Sequence, residues 1–208
     1  LCTVTSEAST HWLARIHELA SSGHKVIACA WRELDAAVWP GGEPDRDFRL
    51  AGLLAFEDPV RSGVPQALHM CQAARIHVIM VTGDHPDTAR AVAQEVGLGG
   101  ATPVVMEGVE METRLQQGDA GFLRAVQVIA RAVPAQKLTL VRALQAQGEI
   151  VAVTGDGVND VPALQAADIG IAMGHAGADV AREVAAVIIE DDNLETMTIA
   201  VSRGRTIY

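Results

Sequence analysis

EIVAVTGDGVNDVPAL, residues 149–164, decides the fold. An apolar run rich in β-branched residues breaks at Gly155-Asp156-Gly157 and resumes as a helix after Asn159 and Asp160. That is a strand, a tight loop and a helix, the unit from which parallel α/β sheets are built. In open α/β sheets ligands bind at the carboxyl ends of the strands, where this loop lies. Gly155 and Gly157 permit sharp turns and close approach of a ligand. Asp156 and Asp160 put two carboxylates in one loop, a donor set that suits Mg2+ with water and a phosphate oxygen. Asn159 offers an uncharged donor to a phosphate oxygen. The plainer alternative makes Asp156 a helix N-cap and Asp160 a solvated first-turn acid. The full run after a buried strand favours the site.

The four letters VTGD occur once more, at residues 81–84, in MVTGDHPDTARAV. The likeness stops after four residues, so an internal duplication is a poor account. Two parts of one site is the better one. Thr82 offers a hydroxyl, and Gly83 and Asp84 backbone N–H groups, at a strand end. TGD alone is read equally well as a turn whose Asp84 caps the next helix. Lys137 follows a third apolar strand, in RAVPAQK (131–137), where one ammonium could balance the acids and hold a phosphoryl group.

Working outward, strand and helix patterns alternate from residue 50 to the end. LAGLLAFED, IHVIMV, VIARAV, EIVAV, DIGIA and AAVIIE read as strands. VPQALHMCQAA, HPDTARAVAQEVG and PAQKLTLVRALQAQG read as helices, with Pro at their starts and Gly97 and Gly148 as stops for the last two. Residues 103–128 are expected to hold a short strand and one or two helices, and the chain ends in a helix without a stop. Upstream, THWLARIHELASSG predicts a helix capped by Thr10, with Trp12, Leu13, Ile16 and Leu19 on one face. KVIACAW predicts a strand, and WPGGEPDRD (39–47) a linker.

Composition agrees with this reading. Among 208 residues, 49% are hydrophobic and only 3% aromatic, so Ala, Val, Ile and Leu carry the core. A net charge of −10 disfavours nucleic acid as a partner. Cys2, Cys29 and Cys71 form no CxxC and read as reduced core residues of a cytosolic setting. No apolar run reaches the roughly 18 residues needed to span a bilayer. The scattered histidines suit no transition-metal site.

Thr on one strand, Lys after another and paired acids after a third resemble the haloacid dehalogenase superfamily of phosphoryl-transfer enzymes. MVTGDHPDTARAVAQEVGL, DPVR (58–61), TGDGVNDVPALQAADIGIAMG and IIEDDNLETMTIAVSRGRTIY are together similar to the phosphorylation domain of P-type cation-transporting ATPases, nearest the calcium and sodium/potassium branch. The resemblance implies a Rossmann-like parallel sheet with helices on both faces, spanning residues 49–208, preceded at 1–48 by the end of a nucleotide-binding domain. It implies Mg2+ at Asp156, with Asn159 and Asp160 orienting the phosphate and Asp160 supporting the metal. Lys137 would contact the transferred phosphoryl group. Thr82, Gly83 and Asp84 would line the phosphate and nucleotide pocket. Asp58, Arg61, Arg131 and Lys25 would lie near ATP.

The family's nucleophile, the Asp of an Asp-Lys-Thr-Gly-Thr motif, is absent. Asp45-Arg46-Asp47 follows no buried strand and reads as linker. The chain opens with Leu and reads as an internal fragment of an ATP-driven cation pump. The fragment would be inactive alone and would lie on the cytosolic side, with its parent held in the membrane by helices outside the chain. Two rivals stand beside this expectation. One is a soluble phosphatase of the dehalogenase superfamily. The other is a nucleophile-free module that binds nucleotide and Mg2+ without chemistry.

Overall fold

The structure, a computed structural model, describes residues 6–33, 43, 45–175 and 177–207. The chain divides into two compact units, Leu1–Pro59 and Val60–Tyr208. The division falls beyond the expected boundary at 48/49. The cause is a hydrogen-bonded ladder: β1 (Lys25–Trp31) pairs antiparallel with β2 (Arg49–Phe56), from Lys25 opposite Phe56 to Trp31 opposite Arg49, with the register shifting by one residue between Cys29 and Ala30. LAGLLAFED is therefore the second arm of an antiparallel pair and not the first strand of the parallel sheet. The expected linker lies outside the described residues except at 43 and 45–47, where Asp45 and Asp47 are exposed.

In this first unit α1 spans Ser6–Ser21. Thr10 lies inside the helix and not at its cap, because Glu7 and Ala8 are good helix formers that extend it toward the N-terminus. Trp12, Ile16, Leu19 and Ala20 are among its covered residues, at i, i+4, i+7 and i+8, with Ala8 and Ser9 one turn ahead. Leu13, expected on that face, is 63% exposed because it falls outside the stripe. Of the cysteines, Cys71 is buried and Cys29 half-buried; Cys2 lies outside the described residues.

The second unit is an α/β domain. Helix α2 (Val64–Ala73) leads to β3 (Met80–Val81) and α3 (Pro86–Glu95). Then follow β4 (Val105–Glu107), α4 (Gly108–Gln116), a 3-10 turn at Gly121–Arg124 and β5 (Val128–Ala130). Helix α5 (Pro134–Ala146), β6 (Ala152–Gly155), α6 (Val161–Ala166) and β7 (Ile169–Met173) come next. The chain closes with α7 (Asp179–Val184), β8 (Val187–Ile189) and α8 (Leu194–Ile207). The strands form two three-stranded parallel ladders, ordered β3-β5-β4 and β6-β7-β8.

Period-two alternation places helices on both faces of each ladder. In β5, Ile129 points into a core with Met111, Phe122, Leu123 and Leu140. Its neighbours Val128 and Ala130 point the other way, against Ala89, Ala93, Val96 and Leu98. In β7, Ala172 packs with Leu164 and Ala181, while Ile171 and Met173 pack with Ile189, Leu194 and Met197. Val141 of α5 meets Val151 and Ala163, which ties α5 to the second ladder.

Candidate functional site

The two VTGD stretches occupy the carboxyl ends of β3 and β6, as their sequence context requires. At the first, the Thr82 hydroxyl donates to Asp84 Oδ2 at 2.9 Å and accepts from the Asp84 N–H at 3.1 Å. This closes a small turn and turns Thr82 toward its own loop. The loop after β5 is stitched to it. Arg131 N–H donates to the Asp84 carbonyl at 3.0 Å and Ala132 N–H to the Thr82 carbonyl at 2.9 Å. Arg131 has φ 49°, left-handed backbone that a side chain resists by about 1–2 kcal/mol. Its side chain is exposed and its role in the fold is carried by the backbone.

Six residues on, Lys137 Nζ donates to Asp160 Oδ1 at 2.6 Å, both side chains being largely covered at 23% and 13% exposure. Asp160 Oδ2 accepts from the Gly157 N–H at 3.2 Å. One carboxylate therefore receives both the ammonium and the loop amide. Gly155 makes this possible: a Cβ there would lie 2.6 Å from Asp160 Cβ. Asp156 and Asn159 are exposed beside this pair. The Asp156 carbonyl accepts from the Ala178 N–H at 2.7 Å, which anchors the backbone and leaves the carboxylate outward.

The segment 131–137 thus joins both loops, through its backbone at Thr82 and Asp84 and through its lysine at Asp160. Arg61 is exposed ahead of α2, and Asp58 and Lys25 are exposed residues of the first compact unit. Among the described residues no three His, Cys, Asp or Glu side chains gather as a transition-metal cage would require. The donor set at Asp156 and Asp160 fits a hard cation that keeps most of its waters.

Sequence reasoning missed the supports of these loops. Gln136, 4% exposed, accepts from the Val133 N–H through Oε1 at 3.0 Å and donates through Nε2 to Glu112 Oε2 at 3.0 Å. Arg182 donates to the Gly174 and Gly177 carbonyls at 2.6 and 2.9 Å, clamping the loop that supplies the Ala178 amide. Gln136 had a legible signal, a Gln at the third position of a Pro-initiated helix. Arg182 had none, since its acceptors are carbonyls.

The haloacid dehalogenase-like hydrolase profile matches residues 7–168. The chain is 43% identical over 206 residues, 99% of its length, to "Calcium-transporting ATPase 4, plasma membrane-type" of Arabidopsis thaliana, covering 20% of that protein. It is 39% identical to the "Calcium-transporting ATPase" of Bacillus subtilis, over 98% of the chain and 23% of that protein. A relative in Oryza sativa, "Calcium-transporting ATPase 3, plasma membrane-type", is 40% identical over 93% of the chain and 19% of its own length. The chain thus spans about a fifth of the curated relatives it matches. No described helix is long and apolar enough to cross a membrane. With its strand-end Thr, Lys and Asp loops and a profile match over most of its length, the chain belongs to the haloacid dehalogenase-like hydrolases.

Proposed function

We propose that the chain is the phosphoryl-transfer part of an ATP-driven cation pump, and that the cation is calcium. The observation that carries this reading is the Lys137–Asp160 pair at 2.6 Å, on the loop that also holds Asp156. A buried-edge ammonium held against a carboxylate, beside a second exposed carboxylate, is an arrangement for a metal-bound phosphate. The relatives' names supply calcium and the ATPase activity. Bound Mg2+ would neutralise charge on the phosphoryl oxygens. Asp156 would hold it, with Asp160 supporting the site. Lys137 would contact the phosphoryl group and Asn159 would orient it. Thr82, Gly83 and Asp84 would line the pocket for phosphate and nucleotide, with Arg131, Asp58, Arg61 and Lys25 toward ATP. The nucleophile would come from elsewhere in the parent, since no Asp-Lys-Thr-Gly-Thr occurs here. The division into a nucleotide-binding remnant and a phosphorylation domain is part of the same proposal.

The site is tested by calorimetric Mg2+ titration of the 208-residue chain. Asp156→Asn is expected to abolish binding; an unchanged affinity would remove Asp156 as a ligand. The pump is tested by ATP-driven calcium uptake into vesicles carrying the full gene product. Absence of uptake, with ATP hydrolysis intact, would point to another cation.

A further inference from the structure

The reading above leaves Lys137 with a task, to hold its ammonium at one place. Lys137 sits in the first turn of α5, where Val133, at the N-cap, has no side-chain oxygen to take a first-turn N–H. Gln136 makes the reciprocal bond from inside, to the N–H of Val133 itself. Its Oε1 takes the Val133 N–H at 3.0 Å, and its Nε2 is held at 3.0 Å by Glu112 of α4. The Gln136 side chain is 4% exposed and both its ends are engaged, as a buried polar group requires. The neighbouring backbone is shaped around it: a Cβ on Gly108 would collide with Gln136 Oε1. Gln136 is adjacent in sequence to Lys137, and Val133 is adjacent to Ala132, whose N–H holds the Thr82 carbonyl. One buried amide therefore braces the segment that joins both halves of the site.

We propose that Gln136, oriented by Glu112, is a positioning residue that sets where the Lys137 ammonium meets Asp160. The inference rests on the proposed phosphoryl-transfer site for its meaning, but its test does not use Mg2+, phosphate or nucleotide. The chain has only two lysines, Lys25 and Lys137. Reductive methylation of the 208-residue chain with isotope-labelled formaldehyde gives each lysine its own NMR signal, apart from that of the α-amine. Lys25 serves as the internal reference.

In Gln136→Ala the methylation rate of Lys137 relative to Lys25 is expected to rise about fivefold, as the ordering of one hydrogen-bonded pair is lost. Val141→Ala, a buried truncation one turn along α5, is expected to lower Tm without moving the ratio. Gln136→Glu keeps the acceptor for Val133 but sets a carboxylate against Glu112, so it too should raise the ratio, and it carries the comparison if the alanine variant does not fold. The exchange Gln136→Glu with Glu112→Gln restores donor and acceptor and should bring the ratio back. An unchanged ratio in folded Gln136 variants, an equal rise in Val141→Ala, or no recovery in the exchanged pair would each overturn the proposal. Failure of the Mg2+ titration would leave this result standing, and the reverse holds equally.

Discussion

The Asp160 carboxylate is held from three directions, by Lys137 Nζ at 2.6 Å, by the Gly157 N–H at 3.2 Å and by close packing of Gly155 against its Cβ. The last contact is the least forgiving. A methyl group at 155 would lie 2.6 Å from Asp160 Cβ and 2.9 Å from its Cγ, so the loop must shift. Overpacking of this kind typically costs about 1–3 kcal/mol. Gly155→Ala is therefore expected to lower stability by that amount in urea unfolding and to widen the Lys137–Asp160 separation. A neutral substitution would mean that the loop yields more easily than its geometry suggests. The identity of this glycine was legible in GDGVND; the reason for it, a side chain five residues on, was not.

At the scale of elements, the strand-end loops are positioned by helices that pack on both faces of each ladder. Strand β5 shows how: Val128, Ile129 and Ala130 are all fully buried, so neither face of it is free to slide. A one-residue slip would exchange Ile129 for its small neighbour and reverse both cores. The loop that follows β5 is fixed as a consequence, and with it the backbone bonds to Thr82 and Asp84. Another pairing between elements is electrostatic. Asp168, at the start of β7, accepts from the Val151 N–H and from Gln145 of α5, and these bonds hold its carboxyl below the usual 3.8. Asp191 before α8 is lowered in the same way, first by the Thr196 hydroxyl and then by the Asn193 N–H. A carboxyl whose folded pKa is depressed adds stability above its unfolded value and loses it as pH falls through the folded one. Both contributions should be complete at neutral pH, begin to fade as pH falls to about 4, and be lost as it passes through the lower folded values. Asp168→Asn is expected to flatten the acid limb of the stability–pH profile, measured by Tm, while Asp191 keeps its share. A profile with unchanged slope would remove the Asp168 bonds from the account.

At the scale of the whole molecule, the chain carries the strand-end loops proposed above for metal and phosphate, and its sequence holds no Asp-Lys-Thr-Gly-Thr motif for a covalent intermediate. The 208-residue chain is accordingly expected to form no acid-stable phosphoenzyme from labelled ATP. A stoichiometric label would return attention to Asp45 and Asp47, which are exposed. The two compact units also differ in kind. The first presents an antiparallel pair beside one helix, with Ile27, Leu54 and Phe56 each about half exposed; the second encloses every buried cluster described here.

Sequence alone determined the alternation of strands and helices, the parallel class of the second unit, the loops on which Thr82, Asp156 and Asp160 lie, and the helix start that carries Lys137. These follow from apolar periodicity, from Pro at helix starts and from Gly at stops, all of which act between near neighbours in the chain. Tertiary structure alone decided that Arg49–Phe56 pairs back onto Lys25–Trp31, that Lys137 meets Asp160 across 23 residues, and that Gln136 is braced by Glu112 across 24. The physical reason is common to all three. A backbone or side-chain donor can satisfy itself with any acceptor brought within about 3 Å, and which one arrives is settled by how the apolar faces pack.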